Sequence, residues 1–125
     1  MATALTRDQL VAIAQAPRAA IACPDCAALQ CAGWESLPGG FDERLLEAVG
    51  TLRDGSDEPS WAEFHSTGTR LDSPDAPIAL GYYPYNRCNV VVCRRCRRPF
   101  LRYTEAGGYY VDRRLRELAA ALIVD

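Results

Sequence analysis

Apolar residues recur at helical spacing near the start of the chain, as Leu10, Val11, Ile13 and Ala14. Ahead of them, Thr6 with Gln9 three residues later has the pattern of a capping box, and Pro17 stops the run. This predicts a first helix over residues 7–16. Leu37-Pro38-Gly39-Gly40 is a breaker. Beyond it Asp42 stands where a helix cap would, and Phe41, Leu45, Val49 and Leu52 form one stripe, so a second helix is predicted, weakened near its end by Gly50. Residues 54–77 are rich in Asp, Ser, Pro and Gly and read as an ordered, irregular loop with a short strand near 61–65. The last third is the most regular. Residues 88–92 and 99–103 are β-rich, Gly107-Gly108 is a hairpin signal, and Tyr109-Tyr110-Val111 reads as a third strand. Val111, Leu115, Leu118 and Leu122 then share one helical face behind Asp112, which predicts a final helix.

A chain of 125 residues with 49% hydrophobic residues suits a single domain over residues 1–125 with a core of its own. No apolar run approaches the ~20 residues of a membrane helix. The first ten residues carry no basic stretch leading into an apolar one, so no secretory signal is read and a cytoplasmic location is expected. All 14 basic residues are Arg, a bias that fits a GC-rich bacterial genome. The net charge of −2 argues against a globally basic nucleic-acid binder. It hides an uneven distribution. Residues 22–86 hold 11 acids against three Arg, a net of −8, whereas residues 87–116 hold nine Arg against Glu105 and Asp112, a net of +7. The two segments are expected to attract each other and pack together.

Six cysteines in a reducing compartment do not suggest three disulfides. Four of them form two C-x-x-C pairs, Cys23/Cys26 and Cys93/Cys96. Two intervening residues let both thiols of a pair converge on one metal, and two such pairs complete the tetrahedral set that zinc prefers. The second pair falls between two predicted strands, where a metal-binding knuckle belongs. Over residues 22–27 and 88–104 the arrangement resembles the zinc-ribbon and rubredoxin-like superfamily. The resemblance implies four metal ligands, Cys23, Cys26, Cys93 and Cys96, and nothing about activity. The chain has Ala27 and Arg97 where such knuckles often carry Gly, and 66 residues separate Cys26 from Cys93. Four thiolates and Zn²⁺ sum to −2, which Arg94, Arg95, Arg97 and Arg98 would offset. Structural Zn²⁺ is the leading reading. Iron on the same thiolates, as in an electron carrier, and a metal-free redox dithiol are the alternatives.

Cys88 stands five positions before Cys93, an odd spacing that sends the two to opposite faces of a strand, so a buried apolar role is expected. Cys31 is expected to stay off the metal, with a spare ligand at the spacing Cys26-x4-Cys31 as the alternative. His65, the single histidine, lies among Glu63, Asp72 and Asp75, and reads as a surface residue before a catalytic base or second metal ligand. No active-site motif points to an enzyme. Tyr82, Tyr83 and Tyr85 crowd Pro84 beside Arg87, and are expected to cover the metal site and the hairpin, with stacking on bases or gripping a peptide as the alternative. Trp34 and Trp61 are expected in or at the edge of the core. Asp42-Glu43 and Asp57-Glu58 read as solvated charges.

The expected fold is therefore α+β: a small antiparallel three-stranded sheet with a zinc knuckle, flanked by two or three helices. The expected function is a zinc-bearing module that meets another protein through the Tyr-Pro loop and the acidic 54–77 segment. The alternatives are a nucleic-acid binder using the Arg-rich knuckle and an iron-thiolate electron carrier.

Overall fold

The computed structural model describes residues 3–16, 23–53, 60–65, 68–106 and 111–124. The first helix forms as the sequence predicts. Helix α1 spans Arg7–Gln15, and both halves of its capping box are present: the Thr6 hydroxyl accepts from the Gln9 N–H at 3.1 Å, and the Thr6 N–H donates to the Gln9 side chain at 2.8 Å. Pro17, the predicted stop, lies outside the described residues. Leu10 is fully buried, and Val11, Ile13 and Ala14 pack partly against the same core.

Most of the remaining regular structure is β. The strands are β1 (Glu35–Ser36), β2 (Leu46–Thr51), β3 (Ile78–Ala79), β4 (Asn89–Cys93), β5 (Pro99–Ala106), β6 (Val111–Glu117) and β7 (Ile123–Val124). Five of them build one antiparallel sheet in the order β1-β6-β5-β4-β2, while β3 and β7 pair in parallel. The three-stranded sheet with two or three helices is thus overturned. Among the described residues α1 is the only α-helix.

Two predicted helices are strands, each for a physical reason. Asp42 does cap a helical turn, accepting from the Arg44 N–H at 3.0 Å, but the turn is a 3-10 one that ends at Leu45. The chain then enters β2, whose pairing with β4 is interrupted by a bulge between Ala48 and Gly50. The bulge breaks the period-2 alternation that would have marked the strand. Gly50 is the point where the N-terminal segment crosses. Leu5 donates to the Thr51 carbonyl and Thr51 to the Thr3 carbonyl, both at 2.9 Å, and a Cβ at position 50 would lie 2.5 Å from Leu5 Cγ. The predicted C-terminal helix is β6, which pairs with β5 from Phe100↔Glu117 to Ala106↔Val111. Its core position 116 is an Arg, so the sequence shows no apolar alternation there. No strand forms at residues 61–65. Gly107-Gly108, Tyr109, Tyr110 and Asp57-Glu58 lie outside the described residues.

Both faces of the central sheet are covered. Val90, Leu101 and Tyr103 project into one core with Leu10, Trp34, Ile78, Tyr83, Tyr85, Cys88, Leu118 and Ile123. Val91, Cys93, Phe100 and Leu115 project into the other, with Cys23, Cys26, Leu29, Cys31, Leu46 and Cys96. Burial on both sides explains the unbroken apolar run Val90-Val91-Val92 in β4. Each large side chain so buried contributes about 1.5–3 kcal/mol. The two C-x-x-C pairs belong to one face only, and the Arg-rich end of β5 and β6 continues that face.

Candidate metal centre

The second cysteine pair sits on the turn that leaves β4. The Cys93 N–H donates to the Arg98 carbonyl at 2.9 Å and the Arg97 N–H to the Cys93 carbonyl at 2.8 Å, which folds residues 93–98 into a tight loop. Arg97 closes this loop in the left-handed region, at φ 68°. That conformation costs a residue with a Cβ about 1–2 kcal/mol and is the reason knuckles favour Gly there. Arg97 has a compensating contact, donating to Glu47 at 2.8 Å. Arg97→Gly is therefore expected to change stability by less than about 1 kcal/mol, since relief of strain is offset by the lost ion pair and the freer unfolded chain. Arg97→Val places a β-branched residue at positive φ and is expected to cost more than about 1 kcal/mol. Chemical denaturation of the two variants measures the difference.

The first pair lies on the turn at residues 24–28, held by the Leu29 N–H on the Cys26 carbonyl at 2.9 Å. This turn places Cys23 and Cys26 against the β4 knuckle. Cys23 Sγ lies 3.7 Å from Cys93 Sγ, and Cys26 Sγ lies 3.6 Å from Cys96 Sγ. All four sulfurs fall within 4.8 Å of one another, and all four residues are buried. Sulfurs at the corners of a tetrahedron with metal–sulfur bonds of about 2.3 Å would be about 3.8 Å apart. A disulfide needs about 2.05 Å, and all six cysteines are free thiols. The separations therefore fit a shared cation and not a bridge between sulfurs. The set is closed as well, because four sulfurs complete a tetrahedron and leave no position for water or substrate.

The local electrostatics repeat in the two turns. Backbone N–H groups of Asp25 and Cys26 point at the Cys23 sulfur, and those of Arg95 and Cys96 at the Cys93 sulfur. Burial disfavours a charged Cys23, yet these N–H groups and the neighbouring thiols outweigh it and bring Cys23 down to about 7. Cys26 is pushed up to about 12, first by burial and then by the Cys96 thiol, against the Arg98 guanidinium. Cys93 is also raised, by burial first. The physical content is that one thiolate forms readily and further thiolates are penalised, a penalty that a divalent cation removes.

The four arginines of the knuckle divide this electrostatic work unevenly. Arg94 and Arg97 both reach Glu47, at 3.7 and 2.8 Å, and Arg95 reaches Asp25 at 3.2 Å. Arg98 pairs with Glu117, donates to the Cys26 carbonyl at 3.3 Å and also hydrogen-bonds the Cys26 thiol. Arg98 is thus the arginine with a direct hold on a thiol. Glu47 and Asp25 at the knuckle, together with Glu43, which meets Arg102 at 3.3 Å and Arg113 at 2.9 Å, join the acidic and basic segments as their opposite charges predict.

The remaining sequence candidates lie apart from the quartet. Cys31 is buried nearby but stands outside the group of four, with its thiol on the Leu29 carbonyl at 3.8 Å. Burial pushes it up to about 11. Cys88 is fully buried in the opposite core, as the odd spacing predicts, and donates to the Pro84 carbonyl at 3.3 Å. His65 contacts Glu63 at 2.8 Å and joins no metal-competent cluster among the described residues. Glu43 is a bridge between two arginines and not a merely solvated charge. Trp34 is buried against Tyr85 and Tyr103. Tyr83 and Tyr85 lie in the core opposite the cysteines, so they do not cover the quartet. Trp61 departs from its expected place, being 71% exposed. Its ring lies 5.1 Å from that of Tyr83, with the Arg87 guanidinium 3.9 Å from its centre.

Arg116 is the residue that sequence reasoning missed. Its side chain is fully buried. It donates to the carbonyls of Ala32 (3.2 Å), Pro74 (3.3 Å) and Ala76 (2.6 Å) and to the Tyr85 hydroxyl (2.5 Å). One guanidinium thereby ties three loops to β6. An Arg at an inward strand position carries no sequence signal of burial, because Arg is ordinarily a surface residue.

Compared with known proteins, the chain matches no family model, no curated protein and no solved structure. No helix among the described residues is long and apolar enough to cross a membrane.

Proposed function

We propose that the chain is a non-enzymatic binding module in which one Zn²⁺, held by Cys23, Cys26, Cys93 and Cys96, fastens the N-terminal turn to the sheet. The single observation behind this reading is the buried quartet of sulfurs at tetrahedral spacing. A closed thiolate set favours a structural ion over a catalytic one. Closing the 66-residue span between the pairs is entropically costly, and metal–thiolate bonds offset that cost.

The partner is another protein, which meets the aromatic surface around the Tyr-Pro loop. Trp61, Phe64 and Tyr82 are the exposed aromatics among the described residues. Phe64 and Tyr82 rings lie 5.7 Å apart, and the segment bearing Trp61 and Phe64 is bonded to the loop through Tyr83 N–H to Ala62 carbonyl (2.8 Å) and Asn86 side chain to Ser60 carbonyl (2.8 Å). Exposed, anchored aromatics are the composition of protein interfaces.

Elemental analysis with parallel thiol titration tests the metal. The expected result is one zinc per chain and four thiols protected until a chelator is added. A red, iron-bearing preparation, or six freely titrating thiols, would refute structural zinc. For the surface, the double change Trp61→Ala with Tyr82→Ala is expected to keep the metal and the melting temperature while abolishing the interaction with a protein identified on the wild type. An unaffected interaction would place the surface elsewhere.

A further inference from the structure

The face of the sheet that carries the cysteines ends in a second cluster, far along the strands from the knuckle. Register places Asn89 opposite Arg102 and Thr104 opposite Arg113, so these four residues share one face. Phe100, Leu115 and Val91 lie between them and the cysteines on that same face. Arg53 and Arg87 close the other side, and the groove so formed has a volume of about 290 Å³.

Four arginines, Arg53, Arg87, Arg102 and Arg113, line this groove, and among the described residues no acidic one does. Elsewhere in the basic segment Arg94 and Arg97 share Glu47, Arg95 meets Asp25, Arg98 meets Glu117 and Arg114 meets Asp112, while Arg116 is buried on carbonyls and the Tyr85 hydroxyl. Within the groove, Arg102 and Arg113 reach for one and the same oxygen of Glu43. Arg53 has no ion pair among the described residues. The Arg102 guanidinium is held below its ordinary range, first by burial and then by the charge of Arg113, despite Glu43. Arg87 is kept in place by its stacking on Trp61. Several guanidinium groups converging on a small volume with a hydroxyl and an amide side chain form a fork-like donor set suited to tetrahedral oxyanions.

We propose that this groove binds a small phosphate-bearing ligand, with Arg102 and Arg113 as the principal contacts and Thr104 and Asn89 as neutral donors. A volume of about 290 Å³ is at the small end of ligand sites. Among the described residues the acids beside Arg94, Arg95, Arg97, Arg98 and Arg114 interrupt the basic surface a polymer backbone would follow, which favours a discrete phosphate compound over nucleic acid. The inference is independent of the metal, and it shares with the aromatic surface only the contact between Arg87 and Trp61.

The experiment is a ¹⁵N-correlation titration of the full chain as purified, with inorganic phosphate in one arm and a nucleoside monophosphate in the other. Shifts at Arg102, Thr104 and Arg113 with half-saturation below about 5 mM in low salt are expected. Phosphate alone sufficing identifies the free ion as ligand, and a clear gain with the nucleotide identifies an ester. Arg113→Gln, at a half-exposed position, is expected to weaken binding at least about fivefold while the fold is kept. Arg102→Gln gives a second reading, and Arg95→Gln on the knuckle is expected to leave affinity unchanged. No shifts at about 20 mM phosphate, or full affinity in Arg113→Gln, would overturn the proposal. A short single-stranded DNA that also moves the amides of Arg94, Arg95 and Arg97 would overturn the small-ligand reading in favour of a polymer surface.

Discussion

Cys23→Ser and Cys96→Ser are each expected to lower the melting temperature by at least about 20 °C, or to leave the chain unfolded at room temperature. A domain of this size loses about 4 °C of melting temperature per kcal/mol, and total stability is only about 5–15 kcal/mol. Structural zinc in small domains contributes about as much as that whole margin. The loss reaches beyond one bond. Cys23, Cys26, Leu29 and Cys31 form the lid over Val91, Phe100 and Leu115. Without an ion its Cys23–Cys26 end has no metal–thiolate bond to the β4 knuckle, leaving the chain link to β1, the Glu117 N–H on the Cys31 carbonyl at 2.8 Å, and the contacts of Arg95 with Asp25 and of Arg98 with the Cys26 carbonyl. Cys31→Ala and Cys88→Ala are the matched controls. Both thiols are buried, yet each is expected to cost only about 1–2 kcal/mol and to keep one zinc per chain. If Cys23→Ser melted with the Cys31 variant, the ion would not fasten the fold.

The same site has a defined pH behaviour. A raised thiol pKa means a proton that must leave before the metal is bound. Cys26, at about 12, and Cys93, also raised, both hold protons near neutrality. Zinc affinity is therefore expected to fall with falling pH, by about tenfold per unit for each proton displaced, hence by about a hundredfold or more per unit. Competition with a chromophoric chelator between pH 6 and 8 measures the slope. A flat profile would exclude these thiols as ligands.

Arg116→Met is expected to cost about 3–5 kcal/mol, a drop of roughly 12–20 °C in melting temperature by thermal denaturation. Buried ion pairs are often replaceable by apolar residues when both partners change together. That route is closed here, because three of the four partners are main-chain carbonyls, which no substitution removes. Losing the guanidinium strands the buried Ala76 carbonyl and Tyr85 hydroxyl and takes a donor from the part-buried Ala32 and Pro74 carbonyls, and each buried group left unsatisfied costs about 1–3 kcal/mol. Arg116→Lys is expected to recover little, since an ammonium lacks the planar fork that spans these acceptors. Metal content in the Arg116 variants should remain at the wild-type value, which separates this effect from that of the cysteines. A melting temperature within about 4 °C of wild type for Arg116→Met would show the loops to be held some other way.

Some elements were legible in the sequence because their signals are local. The α1 helix announces itself through the Thr6–Gln9 box and its apolar spacing, and both features depend on neighbours within one turn. Strands β4 and β5 are legible because β-branched and aromatic residues crowd them. The cysteine spacing likewise specifies that two thiols per turn converge, and the opposite-face placement of Cys88 follows from strand periodicity.

Sequence alone thus determined which thiols pair within each turn, where α1 begins, and that acidic and basic segments attract. Whether Asp42–Leu52 and Val111–Leu122 would be helix or strand was decided by tertiary structure. Both segments have apolar residues at helical spacing, but β2 and β6 gain ladder hydrogen bonds from β4 and β5, and local propensity is too weak to oppose that. Only tertiary structure brings Cys23 to within 3.7 Å of Cys93, buries Arg116 and gathers Arg102 and Arg113 around one carboxylate. The physical reason is common to all of these. Each depends on groups distant in sequence that satisfy one another's charge, hydrogen-bonding capacity or apolar surface, and no short window of sequence contains both halves of the interaction.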